Sequence, residues 1–134
     1  MTQILPPRPM SPHLQIWRWH VTMLGSILHR VTGTATVVGV LAVTKWLVFL
    51  ALGREAYSLF VQYAASPLGL LVWFGLTLAA FVHLTGGIRH MIWDMGNSLQ
   101  PKTADALTTW SLILAVLLTL AFWAVLFATG KVSL

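Results

Sequence analysis

Three stretches of this chain, Leu24 to Leu52, Pro67 to Trp93 and Ala104 to Ala128, are each apolar for longer than the roughly 20 residues a helix needs to cross a bilayer. A backbone inside lipid must satisfy its own hydrogen bonds, so such runs are restricted to helices. The composition agrees. Hydrophobic residues make up 57% of the 134 and charged residues only 8%, against about a quarter in a soluble domain. The expected fold is an all-α membrane protein: three transmembrane helices with a short N-terminal interfacial helix, forming one membrane-anchor unit over residues 1–134.

Residues 1–22 make up the arm and surface helix in this reading. Pro6, Pro7 and Pro9 favour an extended arm, and Ser11-Pro12 opens a helix with Ser11 as cap. The following segment, His13 to His20, mixes Trp17 and Trp19 with Arg18, which suits the headgroup level. The polar, proline-rich start lacks the apolar core of a signal peptide, and the chain is expected to be inserted as it stands. After the first span, Gly53-Arg54-Glu55 leads to a surface turn at Tyr57 to Tyr63. Pro101 and Lys102 lie in a plain turn before the third span.

Cysteine is absent, which removes disulfides and thiolate-held clusters and leaves histidine as the natural metal ligand. Glu55, Asp94 and Asp105 are the only carboxylates, so paired-acid hydrolysis has little to work with. The net charge of +5 reads as orientation, not nucleic-acid binding. Arg8, Arg18, Arg30, Arg89 and Lys102 outnumber Lys45, Arg54 and Lys131 on the other side, placing the N-terminus inside and the C-terminus outside.

Ionisable residues within spans are costly and mark functional candidates. His83 and His90 are seven residues apart and project from nearly one helix face, with Gly86 and Gly87 removing bulk between them. His83 is a candidate axial ligand of a b-type haem; a hydrogen bond to a neighbouring helix's backbone is the plainer alternative. The second axial ligand comes from His29 or from a partner chain. Arg30 and Arg89 are suited to neutralising haem propionates or to anchoring at the interface. Ser26 and Arg30, one turn apart, offer two donors for a quinone carbonyl, unless Ser26 bonds back to its own helix. The third span carries no ionisable residue beyond Asp105 and no polar stripe, which argues against an ion-conducting role.

Three segments carry a resemblance: Arg8-Pro9-Met10-Ser11-Pro12-His13-Leu14, Ser26-Ile27-Leu28-His29-Arg30-Val31-Thr32-Gly33, and His83 through Gly87-Ile88-Arg89-His90 to Asp94. Together with the three spans, they resemble the cytochrome b556 subunits of succinate dehydrogenase. The resemblance implies one of two small membrane anchors beneath a flavoprotein and an iron–sulfur subunit, with a haem b shared between the anchors. It implies His83 as the haem ligand from this chain, with the opposite ligand on the second anchor. Ser26 and Arg30 match quinone-site positions, with ubiquinone as the substrate. His29, Arg89 and His90 are placed around the propionates, and Asp94 on a proton path. The implied location is the bacterial inner membrane, with the mitochondrial inner membrane as the alternative. A purely structural anchor, or a fumarate reductase anchor using menaquinone, are the competing readings.

Overall fold

The computed structural model describes residues 9–132, with only the backbone described at 13 and 14. The proline arm before residue 9, with Arg8, lies outside the described residues. All regular structure is helical: a single turn α1 (His13–Ile16), then α2 (Val21–Ala51), α3 (Arg54–Ala64), α4 (Pro67–Asp94) and α5 (Pro101–Ala128). Three helices, α2, α4 and α5, are long and apolar enough to cross a membrane. At 1.5 Å per residue they run about 42 to 46 Å, longer than the ~30 Å hydrocarbon layer.

The expected surface helix extends over only the one turn α1. Pro12, not Ser11, takes the cap position, and the chain is extended at Trp17 (φ −65°, ψ 134°). So short a helix does not stand without packing. The link after the first span departs from expectation in the other direction. A turn was expected at Tyr57 to Tyr63, but the 11-residue helix α3 forms there. Gly53, at φ 102°, turns the chain sharply out of α2, and no Gly or Pro interrupts the residues that follow. Glu55 lies in the first turn of α3, where the helix dipole favours an acid.

The start of α4 is locally encoded. Pro67 occupies the first turn, and the Ser66 hydroxyl accepts from Gly69 N at 3.1 Å while donating to Tyr63 O at 2.7 Å. A Cβ at Gly69 would collide with the carbonyls of Tyr63 and Ala64. Pro101 likewise starts α5, three residues before the expected boundary, because its missing N–H costs nothing at a helix start.

Helix α4 is central, packing extensively along both α2 and α5, which touch each other less. The contact surface is inverted relative to a soluble core. Among described residues, the buried apolar side chains are Ala79, Ala115 and Trp123, while Thr32, Thr85, Arg89, Thr108, Ser111 and Thr119 are buried polar ones. Large apolar residues such as Val40, Leu41, Leu71, Leu117 and Leu120 face outward. Membrane helices approach through small residues in this way, because lipid leaves no hydrophobic gain from burying leucine.

The third span does carry a polar stripe, contrary to expectation: Thr108, Ser111 and Thr119 line its packed face. Their hydroxyls donate to the carbonyls of Ala104, Thr108 and Ala115, each at 2.8 Å, and so serve close packing and not conduction. Ala115, fully buried on this stripe, has no room for growth. Ala115→Leu is expected to destabilise the packed subunit by about 1–3 kcal/mol, seen as a lower thermal transition of the purified membrane complex. Val116→Leu, on the exposed neighbouring position, is expected to leave that transition unchanged.

Candidate functional site

The N-terminal half of α2 and the C-terminal half of α4 bring three histidines together. His29 on α2 and His83 on α4 stack face to face, with ring centres 4.2 Å apart and planes within 3°. His90, two turns along α4 from His83, places its ring 4.9 Å from that of His29 and meets Trp93 edge-on at 5.3 Å. The seven-residue spacing thus puts both α4 histidines against the same residue of α2.

The room for these rings comes from glycines, one on each helix. A Cβ at Gly33 would lie 3.0 Å from Cε1 of His83, and one at Gly86 would lie 2.6 Å from Nδ1 of His29. The two central glycines of α4 therefore do different things. Gly86 is buried and admits the His29 ring, whereas a Cβ at Gly87 meets nothing within 4 Å. Space expected to admit a large cofactor is, at Gly86, filled by a histidine from the next helix.

The tautomer of His83 follows from one hydrogen bond. Its Nδ1 lies 3.2 Å from the carbonyl oxygen of His29, and a carbonyl only accepts, so Nδ1 carries the proton. In the neutral ring the lone pair is then on Nε2, the nitrogen a metal would take. A ligating histidine commonly donates its other N–H to a backbone carbonyl in this way. The plainer alternative, a histidine bonded to a neighbouring backbone, accounts for Nδ1 and leaves Nε2 without a role. Gly87, one turn on and nearly on the same face, leaves open surface beside it. The donor type, the fixed tautomer and the open flank all fit a b-type haem.

His29 does not fit as the opposite ligand of the same iron. Two axial imidazoles point their lone pairs at each other along one line through the metal, and rings stacked face to face cannot. His29 instead braces His83, with its carbonyl and its ring; its buried Nδ1 makes no hydrogen bond among the described residues.

Ser26 lies three residues before His29 on α2 and Arg30 immediately after it, Ser26 half-buried and Arg30 exposed. Most hydroxyls along the helices donate to their own backbone, as Thr32, Thr34, Thr36 and Thr44 do in this same helix. No such bond joins Ser26 to its helix among the described residues, so the expected back-bond does not occur. Asp94 is exposed at the last residue of α4.

Arg89 goes elsewhere. Six residues from His83, it leaves α4 about a third of a turn away from the histidine face. Its side chain, 1% exposed, enters the space between α2, α4 and α5. A Cβ at Gly25 would lie 2.5 Å from both Nη1 of Arg89 and Cγ2 of Thr108, so that glycine is the opening the guanidinium occupies. Its Cζ stands 5.0 Å from the centre of the Trp93 ring, a cation–π contact. Gly25, Trp93 and Thr108 were not singled out in the sequence. The i, i+4 spacing of Arg89 and Trp93 was a usable signal for that pair, while the other two contacts are between helices.

A family model described as "Succinate dehydrogenase/Fumarate reductase transmembrane subunit" matches residues 5–128. The chain is 36% identical over 120 residues to the succinate dehydrogenase cytochrome b556 subunit of Paracoccus denitrificans, covering 87% of this chain and 92% of that one. It is 36% identical over 126 residues to the cytochrome b560 subunit of Reclinomonas americana, covering 87% and 84%. With the mitochondrial cytochrome b560 subunit of Sus scrofa the identity is 34% over 116 residues, covering 85% and 67%. The family model runs through all three long helices, and the chain belongs to the succinate dehydrogenase/fumarate reductase transmembrane subunit family.

Proposed function

We propose that this chain is the membrane-anchoring, haem b-binding subunit of a succinate:quinone oxidoreductase and contributes to its quinone-reduction site. The supporting observation is the state of His83: Nδ1 committed to the His29 carbonyl, the ring held between Gly33 and His29, and the Nε2 lone pair available to iron. Bound there, a haem b supplies a one-electron redox centre. His83 would hold that haem from this chain, and a second membrane anchor would supply the other protein ligand.

The residues of this chain then have distinct tasks. His83 ligates, His29 sets its tautomer and plane, and His90 closes the third side of that pair. Ser26 and Arg30 present a hydroxyl and a guanidinium to the carbonyl oxygen of ubiquinone entering from the lipid. Both hold negative charge that grows on that oxygen as the ring accepts electrons. In this reading Asp94, exposed at the end of α4, passes protons to the reduced ring. The electrons originate in succinate and arrive through a flavoprotein and an iron–sulfur subunit docked on that face. The orientation is N-terminus cytoplasmic in a bacterial inner membrane, where the charge excess puts the Ser26 end inside.

His83→Ala is expected to abolish haem b in the purified complex, measured by the pyridine haemochrome; a full haem complement in that variant would refute His83 as the ligand. Gly86→Val drives a side chain into the His29 ring, and its expected effect is a reduced haem content. Loss of a charge-assisted hydrogen bond is worth about 1.5–3 kcal/mol and of a neutral one about 0.5–1.5. Arg30→Ala should therefore lower quinone reductase activity at least about tenfold, and Ser26→Ala about threefold to tenfold. Succinate oxidation by a soluble artificial acceptor should be nearly unchanged in both, and equal losses in the two assays would remove them from the quinone site.

A further inference from the structure

The buried guanidinium of Arg89 has no partner of opposite sign. Its Nε and Nη2 are sealed from the surface and make no hydrogen bond among the described residues. Arginine stays protonated in proteins, so the site carries a full positive charge. Of the three carboxylates, Glu55 belongs to α3 at the other end of the spans, and Asp94 is exposed at the end of α4. Asp105 lies nearly one turn before Thr108 on α5, half-buried and not paired with the guanidinium. The groups packed around the charge are Gly25, Thr108 and the face of Trp93. None of these can neutralise it.

The charge is also close to the histidines. Gly25, where the guanidinium rests, is one turn from His29 on the same face of α2, and His29 stacks on His83. Arg89 and the proposed ligand thus meet successive turns of the same helix, Gly25 and His29 of α2, and the arginine side chain is buried. An oxidised b haem held by two neutral imidazoles carries one positive charge on its core, which reduction removes.

We propose that Arg89 is an electrostatic positioning residue that favours the reduced form of the haem and so raises its midpoint potential. This rests on the haem reading above. The contacts of the guanidinium are with Trp93 and the Gly25 opening and not with His83, so the residue acts through space. One charge acting over roughly two residue diameters at the effective dielectric of a protein is worth about a factor of ten in the equilibrium between reduced and oxidised forms. For a one-electron couple that is about 59 mV.

The test is a potentiometric titration of the haem in the intact purified complex, followed by its reduced optical band, with the low-spin EPR signal recorded on the same samples. Arg89→Met removes the charge and is expected to lower the midpoint by about the tenfold equivalent while leaving the EPR signal in place. Because that variant risks loosening the bundle, a second pair leaves Arg89 intact. Thr108→Asp sets a carboxylate against the guanidinium and should also lower the midpoint, whereas the near-isosteric Thr108→Asn should not. Haem-containing Thr108→Asp with the wild-type midpoint, or an equal fall in Thr108→Asn, overturns the proposal. A wild-type complex without any b-type band overturns the haem reading itself, and the two failures are told apart by that first spectrum.

Discussion

One contact between two helices organises the histidine-bearing half of this molecule: the Nδ1–H of His83 on α4 donating to the backbone carbonyl of His29 on α2, with the two rings stacked. The bond crosses helices and joins a side chain to a main-chain oxygen, so it sets the axial register of α2 against α4 as well as the ring's tautomer. It requires a glycine beneath each ring, Gly33 and Gly86, because any Cβ there lies at or inside contact distance of an imidazole. Packing, tautomer and the nitrogen left over for chemistry are therefore settled together.

The remainder of the bundle is consistent with lipid as its solvent. Side chains that a soluble protein would hide, such as Leu117 and Leu120, are turned outward, and hydroxyls and a guanidinium are turned in. The hydroxyls cost little because their own helices provide acceptors one turn back. The guanidinium has no such local remedy. Its burial opposes stability in a way the fold tolerates only through close cover from Trp93 and Thr108. An unpaired charge retained at that cost is the kind of feature that rewards a functional explanation.

Membership of the succinate dehydrogenase/fumarate reductase transmembrane subunit family and the geometry point the same way, but on different grounds. The family match rests on residues along nearly the whole chain. The geometry adds what a match does not contain: that His29 lies parallel to His83 and is thereby ill-placed to be the second axial ligand, and that Arg89 is directed into the three-helix interior and not onto the histidine face.

Much was legible from composition and spacing alone. The three spans follow from the length of their apolar runs, since lipid permits nothing else for such stretches. His83 and His90 share a face because seven residues is close to two turns. Other features were out of reach because they depend on which helix lies opposite. Gly86 and Gly87 look alike in the chain, yet only Gly86 faces the His29 ring. Arg89 reads as interfacial until α5 is seen to cover it. Helix α3 was missed because its 11 residues are too few and too polar to register as a span, and its form depends on the positive φ of Gly53 and on packing against α2 and α4. The length of the apolar runs, then, determined the three long helices, and helical periodicity determined which residues share a face. Only the tertiary structure decided what each face meets, because burial, tautomer and charge isolation are properties of pairs of helices and not of any one of them.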